Sequence, residues 1–218
     1  MMKVKKINSI HLLYIIIHKV KYFKMYDIIF KHIEEKVQLS QSEKELIKTF
    51  FKPKKLKKKQ FLVVEGHVCS YLTFVSKGLL KSYNVDDKGN EHINQFSTEG
   101  WWTSDMSSFF SGGISFYSID AMEDSAVLLI TREDFENLTL QVPVMDRYFR
   151  LLFQNSLITK ERRLISSYTH TAEEKYRYIV ENNPDFIRRI PQNLLASYLG
   201  LSPETLSRLK KNIIFDQK

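Results

Sequence analysis

Pro191-Gln192-Asn193-Leu194-Leu195-Ala196-Ser197-Tyr198-Leu199-Gly200-Leu201-Ser202-Pro203-Glu204-Thr205-Leu206-Ser207-Arg208-Leu209-Lys210 has the pattern of two short helices meeting at a tight turn. Leu195, Ala196 and Leu199 fall on one side of the first helix, and Ala196 is small where two helices must cross closely. Gly200 ends that helix, because the turn needs a residue tolerant of positive φ. Leu201 plugs the turn. Ser202 is a good N-cap and Pro203 suits a first helical position. Leu206 and Leu209 then face inward, which leaves Glu204, Thr205, Ser207 and Arg208 on the outer side near the helix N-terminus. In a helix-turn-helix this end enters the major groove of DNA. Arg pairs with guanine O6 and N7, Glu accepts from cytosine N4, and Ser or Thr bonds to several base edges. Lys210 and Lys211 are placed closer to phosphates, and Gln192 and Ser202 join the candidate DNA contacts. The bland alternative is an ordinary helical hairpin with a capped second helix.

Working outward toward the N-terminus, Phe186-Ile187-Arg188-Arg189-Ile190 reads as a small strand, preceded by the turn Asn182-Asn183-Pro184 and a short helix near Ala172–Glu181. Before it, Val144, Tyr148, Leu151, Leu152, Asn155, Ile158, Arg162 and Ile165 step by three or four over more than twenty residues. A stripe this long, with little sequence left to cover it, predicts a helix that packs against another chain. Packing on its own β-domain is the alternative, and part of the helix is expected to do both.

From Gln60 to Arg132 the chain reads as strand after short strand: Phe61–Val64, Tyr71–Val75, Leu79–Tyr83, Glu91–Phe96, Ser115–Ile119 and Ser125–Thr131. Strands at roughly ten-residue intervals, each ended by a turn, predict a sandwich or jelly roll. Asp86-Asp87-Lys88-Gly89-Asn90 is a polar hairpin turn. Lys52–Lys59 carries six lysines. It could be a nucleic-acid patch, but is better read as a solvated lead-in to an edge strand, where lysines discourage further pairing. Met25–Phe50 has helical spacing, with Ser40 and Glu43 forming a capping box before a second helix.

The chain has 218 residues, 43% of them hydrophobic and 27% charged, an ordinary globular balance. Seven glycines and five prolines exclude collagen-like and low-complexity classes. A single cysteine, Cys69, excludes an internal disulfide and any cluster held by several cysteines, and favours a cytoplasmic home. The formal charge is +8. No arginine precedes Arg132, and from Asp86 to Asp134 ten acids face only Lys88 and Arg132. Acidic middle and basic C-terminal part are therefore distinct. The longest apolar stretch, Ile10–Ile17, is too short for a membrane span. Met1–Lys24 carries six lysines and no acid. It reads as a tail outside the fold or an over-extended start, with Met25 as the alternative first residue. Only Asn212–Lys218 are expected to follow the second helix of the motif, too few for a full β-wing.

Taken together, a jelly roll, a long helix and a C-terminal helix-turn-helix resemble the Crp/Fnr family of bacterial transcription regulators. The resemblance covers roughly Met25–Lys211. It rests on Gly66, Tyr71-Leu72-x-Phe74-Val75, Gly78, Lys88-Gly89-x-Glu91, Phe96-x-x-Glu99-Gly100 and above all Glu204-x-x-Ser207-Arg208. That last motif is similar to the branch reading TTGA-type half-sites. The resemblance implies an α+β chain: a cyclic-nucleotide-binding-like jelly roll over 25–142, a dimerisation helix over 143–168, and a winged-helix-like helix-turn-helix domain over 169–218. It implies a homodimer on an inverted repeat of double-stranded DNA, with RNA polymerase as a further partner.

The departures concern the effector. Members that bind cyclic AMP carry Gly-Glu and then Arg in the phosphate cassette. Here Gly100 precedes Trp101 and Trp102, and Ser111–Tyr117 holds no arginine. A cyclic phosphate needs its charge met by an arginine fork or a helix N-terminus, so control by cyclic AMP is not expected. Trp101, Trp102, Ser104, Ser107, Ser108, Phe116 and Tyr117 mark either an apolar pocket for an unknown small molecule or a filled barrel without one. The filled barrel is favoured. No cofactor and no metal are expected. His67, Cys69 and His92 are scattered, no His-x-His pair suits a jelly-roll metalloenzyme, and no Walker loop or nucleophile elbow appears. A cyclic-nucleotide-binding signalling module with a degenerate helix-turn-helix is the remaining alternative.

Overall fold

The computed structural model describes residues 24–215. The expectations for the basic N-terminal segment concern residues 1–23, which lie outside the described residues, as do 216–218. The chain opens with helix α1 over 24–34 and helix α2, Gln41–Phe50. The capping box forms: the Glu43 N–H donates to Ser40 Oγ at 3.3 Å, and the Ser40 N–H to the Glu43 carboxylate at 2.7 Å. Ile29, Ile33, Ile47 and Phe50 press these two helices onto the barrel core.

Eight strands follow: β1 Lys52–Leu56, β2 Phe61–Val63, β3 Tyr71–Lys77, β4 Leu80–Val85, β5 Glu91–Ser97, β6 Trp102–Thr103, β7 Ser118–Ala121 and β8 Ser125–Thr131. They form two antiparallel four-stranded sheets, ordered β1-β8-β3-β6 and β2-β7-β4-β5. This is the jelly roll. The lysine run forms β1, an edge strand paired on one side with β8, where lysines guard against a further partner. In the β4–β5 hairpin, Asp86 accepts from the Lys88 and Asn90 amides at 3.0 and 2.8 Å, while Gly89 takes φ +83°. Gly78 has a stricter demand. Its φ is +103°, and an added Cβ would lie 2.1 Å from Ser125 Oγ.

The strand expected over Ser115–Ile119 begins only at Ser118. Ser115 and Phe116 are held instead by Asp105, which draws them off the ladder: the Ser115 hydroxyl and the Phe116 N–H both donate to its carboxylate, at 3.0 and 2.9 Å. Asp105 also caps the short helix α3, Met106–Ser111.

After β8 come α4, Arg132–Gln141, and the long α5, Pro143–Thr169. Met145, Tyr148 and Phe149 bury the first turns of α5 against the barrel. The chain ends in α6 Ala172–Asn182, α7 Pro184–Arg189, α8 Gln192–Leu199 and α9 Pro203–Phe215. The segment expected as a strand at 186–190 is therefore mostly helix. Pro184 sits at the first helical position, with φ preset for a helix, and Arg188 and Arg189 in the last turn suit its negative end. Among the described residues no strand follows β8. The last helix extends to Phe215, so part of the segment expected beyond it continues it.

A second core joins the two halves. Leu79, Tyr83, Ile93 and Phe96 of the barrel pack with Tyr176, Ile179, Ile190, Leu195, Leu199 and Leu206 of the C-terminal helices.

Candidate nucleic-acid interface

α8 and α9 form the expected helix-turn-helix. Gly200 closes α8 in the left-handed region, at φ +70°, and the Leu201 N–H donates to the Ala196 carbonyl at 2.9 Å. Ser202 starts α9: its Oγ accepts from the Thr205 N–H at 3.2 Å and its carbonyl from the Leu206 N–H at 3.0 Å. Leu206 is fully buried against α8, at 0% exposure. That single contact fixes which side of α9 looks out.

The outward side carries Glu204, Arg208 and Lys211, at helical i, i+4 and i+7, all exposed. With Pro203 and Ser207 they line an open concave surface. The Glu204 carboxyl is held below the ordinary range by its own backbone N–H and then by Ser202, so it is ionised and ready to accept. Ser207 is half-buried beside them. Two predicted contacts are placed differently from Glu204 and Arg208. Thr205 is half-buried and its hydroxyl lies 3.1 Å from Ser202 Oγ, so it serves the cap. Lys210 is half-buried, with its ammonium 6.0 Å from the centre of the Tyr176 ring. Gln192 is exposed in the first turn of α8.

The stripe on α5 divides. Tyr148 is fully buried in its own chain and is not free for a partner, which corrects its assignment to a dimer surface. Its hydroxyl accepts from Trp102 Nε1–H at 2.8 Å and lies 2.7 Å from His32 Nδ1. A phenol has one proton and two lone pairs, so the tautomer of the His32 ring sets which of the two donates. Burial, followed by the charge of Lys36, lowers the His32 pKa and favours the neutral ring. Val144, Leu151 and Leu152 are half-buried. Beyond them Asn155, Ile158 and Ile165 are exposed. So are Leu157 and Tyr168, at 68% and 71%.

The predicted effector residues do not converge. Trp101 and Phe116 are exposed, at 43% and 64%. Trp102 packs among Phe74, Phe149 and Tyr148, with ring centres 5.3, 5.5 and 6.5 Å away. Ser104 donates to the Tyr71 carbonyl, and Ser108 accepts from the Cys69 N–H at 2.8 Å and donates to the Gly113 carbonyl at 2.5 Å. Ser107 is exposed, and the Tyr117 hydroxyl donates to the Ser104 carbonyl. At the centre lies Asp105, 2% exposed, accepting from the Ser108 N–H as well as from Ser115 and Phe116. These donors could have met an anionic phosphate, and a built-in carboxylate already holds them. Arg132, the arginine beside this loop, is engaged by the Phe110 carbonyl and Glu136. The residues present do not fit a cyclic phosphate. Among the described residues no group of three or more His, Cys, Asp or Glu could hold a metal ion, and no helix is long and apolar enough to cross a membrane.

Three residues that sequence reasoning passed over lie between barrel and motif: Arg163, Arg189 and Ser197. Arg189 donates to Glu99 at 2.8 Å and to Glu123 at 2.7 Å. Nothing in the spacing marks it, because its partners are 90 and 66 residues away.

The cyclic nucleotide-binding domain family matches residues 53–141, the barrel and α4. A transcriptional activator protein of Pseudomonas aeruginosa is 26% identical over 71% of this chain and 67% of its own length. The fumarate and nitrate reduction regulatory protein of Vibrio cholerae is 25% identical over 78% of this chain and 72% of its own. The solved structure of FixK2 from Bradyrhizobium japonicum superposes with a TM-score of 0.64 at 20% identity, over 77% of this chain and 86% of that one. That structure shares the fold. The chain is thus similar, over most of its length, to transcription regulators of the Crp/Fnr type.

Proposed function

We propose that this regulator binds an inverted repeat of TTGA-type half-sites as a homodimer, without a cyclic nucleotide. The observation that carries the reading is the exposed Glu204-Arg208-Lys211 stripe on α9, held outward by the buried Leu206. Arg208 and Glu204 select bases, while Lys211, Lys210, Ser207 and Gln192 hold phosphates or flank them. The exposed apolar half of α5 pairs with its copy and sets the two reading helices about one helical turn of DNA apart, ~34–36 Å. On this reading 25–142 is the effector-type domain, 143–168 the dimer helix and 169–218 the DNA-binding domain. Asp105 supports independence from cyclic AMP, because its charge repels a phosphate where the loop donors are already engaged. A contact with RNA polymerase and a cytoplasmic location follow from the same role. The one cysteine is buried and free, in keeping with a reducing compartment.

Fluorescence-anisotropy titration of a TTGA-type inverted repeat and a scrambled duplex, at several salt concentrations and with or without cyclic AMP, tests this. Preference for the repeat, unchanged by the nucleotide, is expected. Binding that requires cyclic AMP would overturn the effector reading, and equal binding to both duplexes would overturn the operator.

A further inference from the structure

β5 lies at the edge of its sheet, so its outer N–H and C=O groups need partners from elsewhere. Ser197 of α8 supplies them. Its Oγ accepts from the Ile93 N–H at 3.0 Å and donates to the Glu91 carbonyl at 2.6 Å, so one hydroxyl stands in for a neighbouring strand. On its other side α8 packs against α9 through the core that contains Leu206. The first helix of the motif is thus held between the barrel edge and the reading helix, with no loop in between.

Two arginines fix the remaining freedom. Arg189, at the end of α7, bridges Glu99 and Glu123 and donates to Thr98 Oγ1 at 3.1 Å. It grips two separate turns of the barrel. Arg163, on the exposed part of α5, donates to the Asn94 carbonyl of β5 and to the Tyr198 carbonyl of α8. Its guanidinium lies 4.0 Å from the centre of the Tyr198 ring, which itself packs 5.3 Å from Phe96. Long helix, barrel edge and α8 meet at this side chain. In this docked pose Glu204 and Arg208 remain exposed, so the contact does not block the DNA face.

We propose that Ser197, Arg189 and Arg163 form a junction through which the barrel sets the direction of the reading helix, and that this junction determines which half-site spacing the dimer accepts. The proposal rests on the dimeric operator reading above. A free helix-turn-helix on a hinge would tolerate several spacings. One locked to the barrel and to α5 selects a single spacing.

Two measurements on the full chain test it. Hydrogen exchange reads the docking itself. In Arg189→Gln and Ser197→Ala the Ile93 amide should exchange faster than in wild type, while amides of β3 and β8 keep their protection. Binding to repeats lengthened or shortened by one or two base pairs reads the consequence. Both variants should lose roughly ten-fold for the best spacing, a usual size for coupling between sites, and should discriminate less among the others. A Glu99→Gln, Glu123→Gln double variant, which attacks the same contact from the barrel side, should match Arg189→Gln. Unchanged Ile93 exchange in Arg189→Gln and Ser197→Ala would overturn the docking. Faster exchange with an unchanged spacing profile would overturn its role in spacing. A wild-type protein indifferent to the repeat would overturn the operator reading and with it the spacing claim, while exchange at Ile93 still decides whether the junction holds.

Discussion

Arg208 and Leu206 stand two residues apart on α9 with opposite placements: Arg208 faces outward, where we propose that it reads a base, and Leu206 is buried and so fixes that direction. Arg208→Ala should lower operator affinity by about 1–3 kcal/mol and relax selectivity at one base position, because a bidentate arginine discriminates by about that much. Competition with single-base operator variants checks it, and uniform loss across all variants would assign Arg208 to phosphate instead. Tyr148 offers a test inside the core. Tyr148→Phe removes the acceptor of the Trp102 indole N–H and the partner of His32 together. A buried donor left unpaired costs about 1–3 kcal/mol, so urea denaturation should show a loss of that order. The two helices and the exposed face of the second were legible because helix period, glycine turn and serine cap all lie within twenty consecutive residues. Asp105, Arg163 and Arg189 were not legible, since each acts on a partner that only the fold brings near.

Among elements, α5 shows where a periodic pattern stops being informative. The stripe from Val144 to Ile165 predicted one long helix, and one long helix forms. The pattern could not say that its first turns belong to the chain's own core, because burial against a barrel and burial against a copy need the same spacing. The described contacts separate them after Phe153, beyond which the apolar side chains are exposed. If the exposed half of α5 forms the proposed dimer, Ile158→Lys should dissociate it while leaving the melting of each chain nearly unchanged. Sedimentation velocity against concentration measures it, and an intact dimer would move the interface off this face. The misread at 186–190 has a related cause. Two arginines flanked by apolar residues, Phe186-Ile187-Arg188-Arg189-Ile190, suit a short strand and a single helical turn equally well. Pro184 decided for the helix.

On the scale of the molecule, acidic turns of the barrel and a basic helical part are joined by a contact that exploits that difference of charge. Burial pushes the Glu99 carboxyl up, but hydrogen bonds from Arg189, Thr98 and the Gly78 amide outweigh it and bring it to about 2. An unfolded glutamate titrates near 4.5. A carboxyl lowered in the folded state adds stability that is complete above its unfolded value and fades as the pH falls through its folded value. For Glu99 that window runs from about 4.5 down to about 2. The carboxylate is more than a third exposed, so solvent and salt screen the pair and its contribution is modest. Asp120, raised by burial, has the opposite sign and gains from acid. A comparison with Glu99→Gln removes that background, because Asp120 is common to both proteins. At pH 6 wild type should melt above the variant. The gap should narrow steadily below pH 4.5 and narrow further in high salt. Calorimetry from pH 6 to pH 3, at two ionic strengths, follows it. A gap that stays constant with pH would mean that Glu99 holds the junction by its shape and neutral hydrogen bonds, and that its charge adds nothing to how the barrel carries the DNA-reading helices.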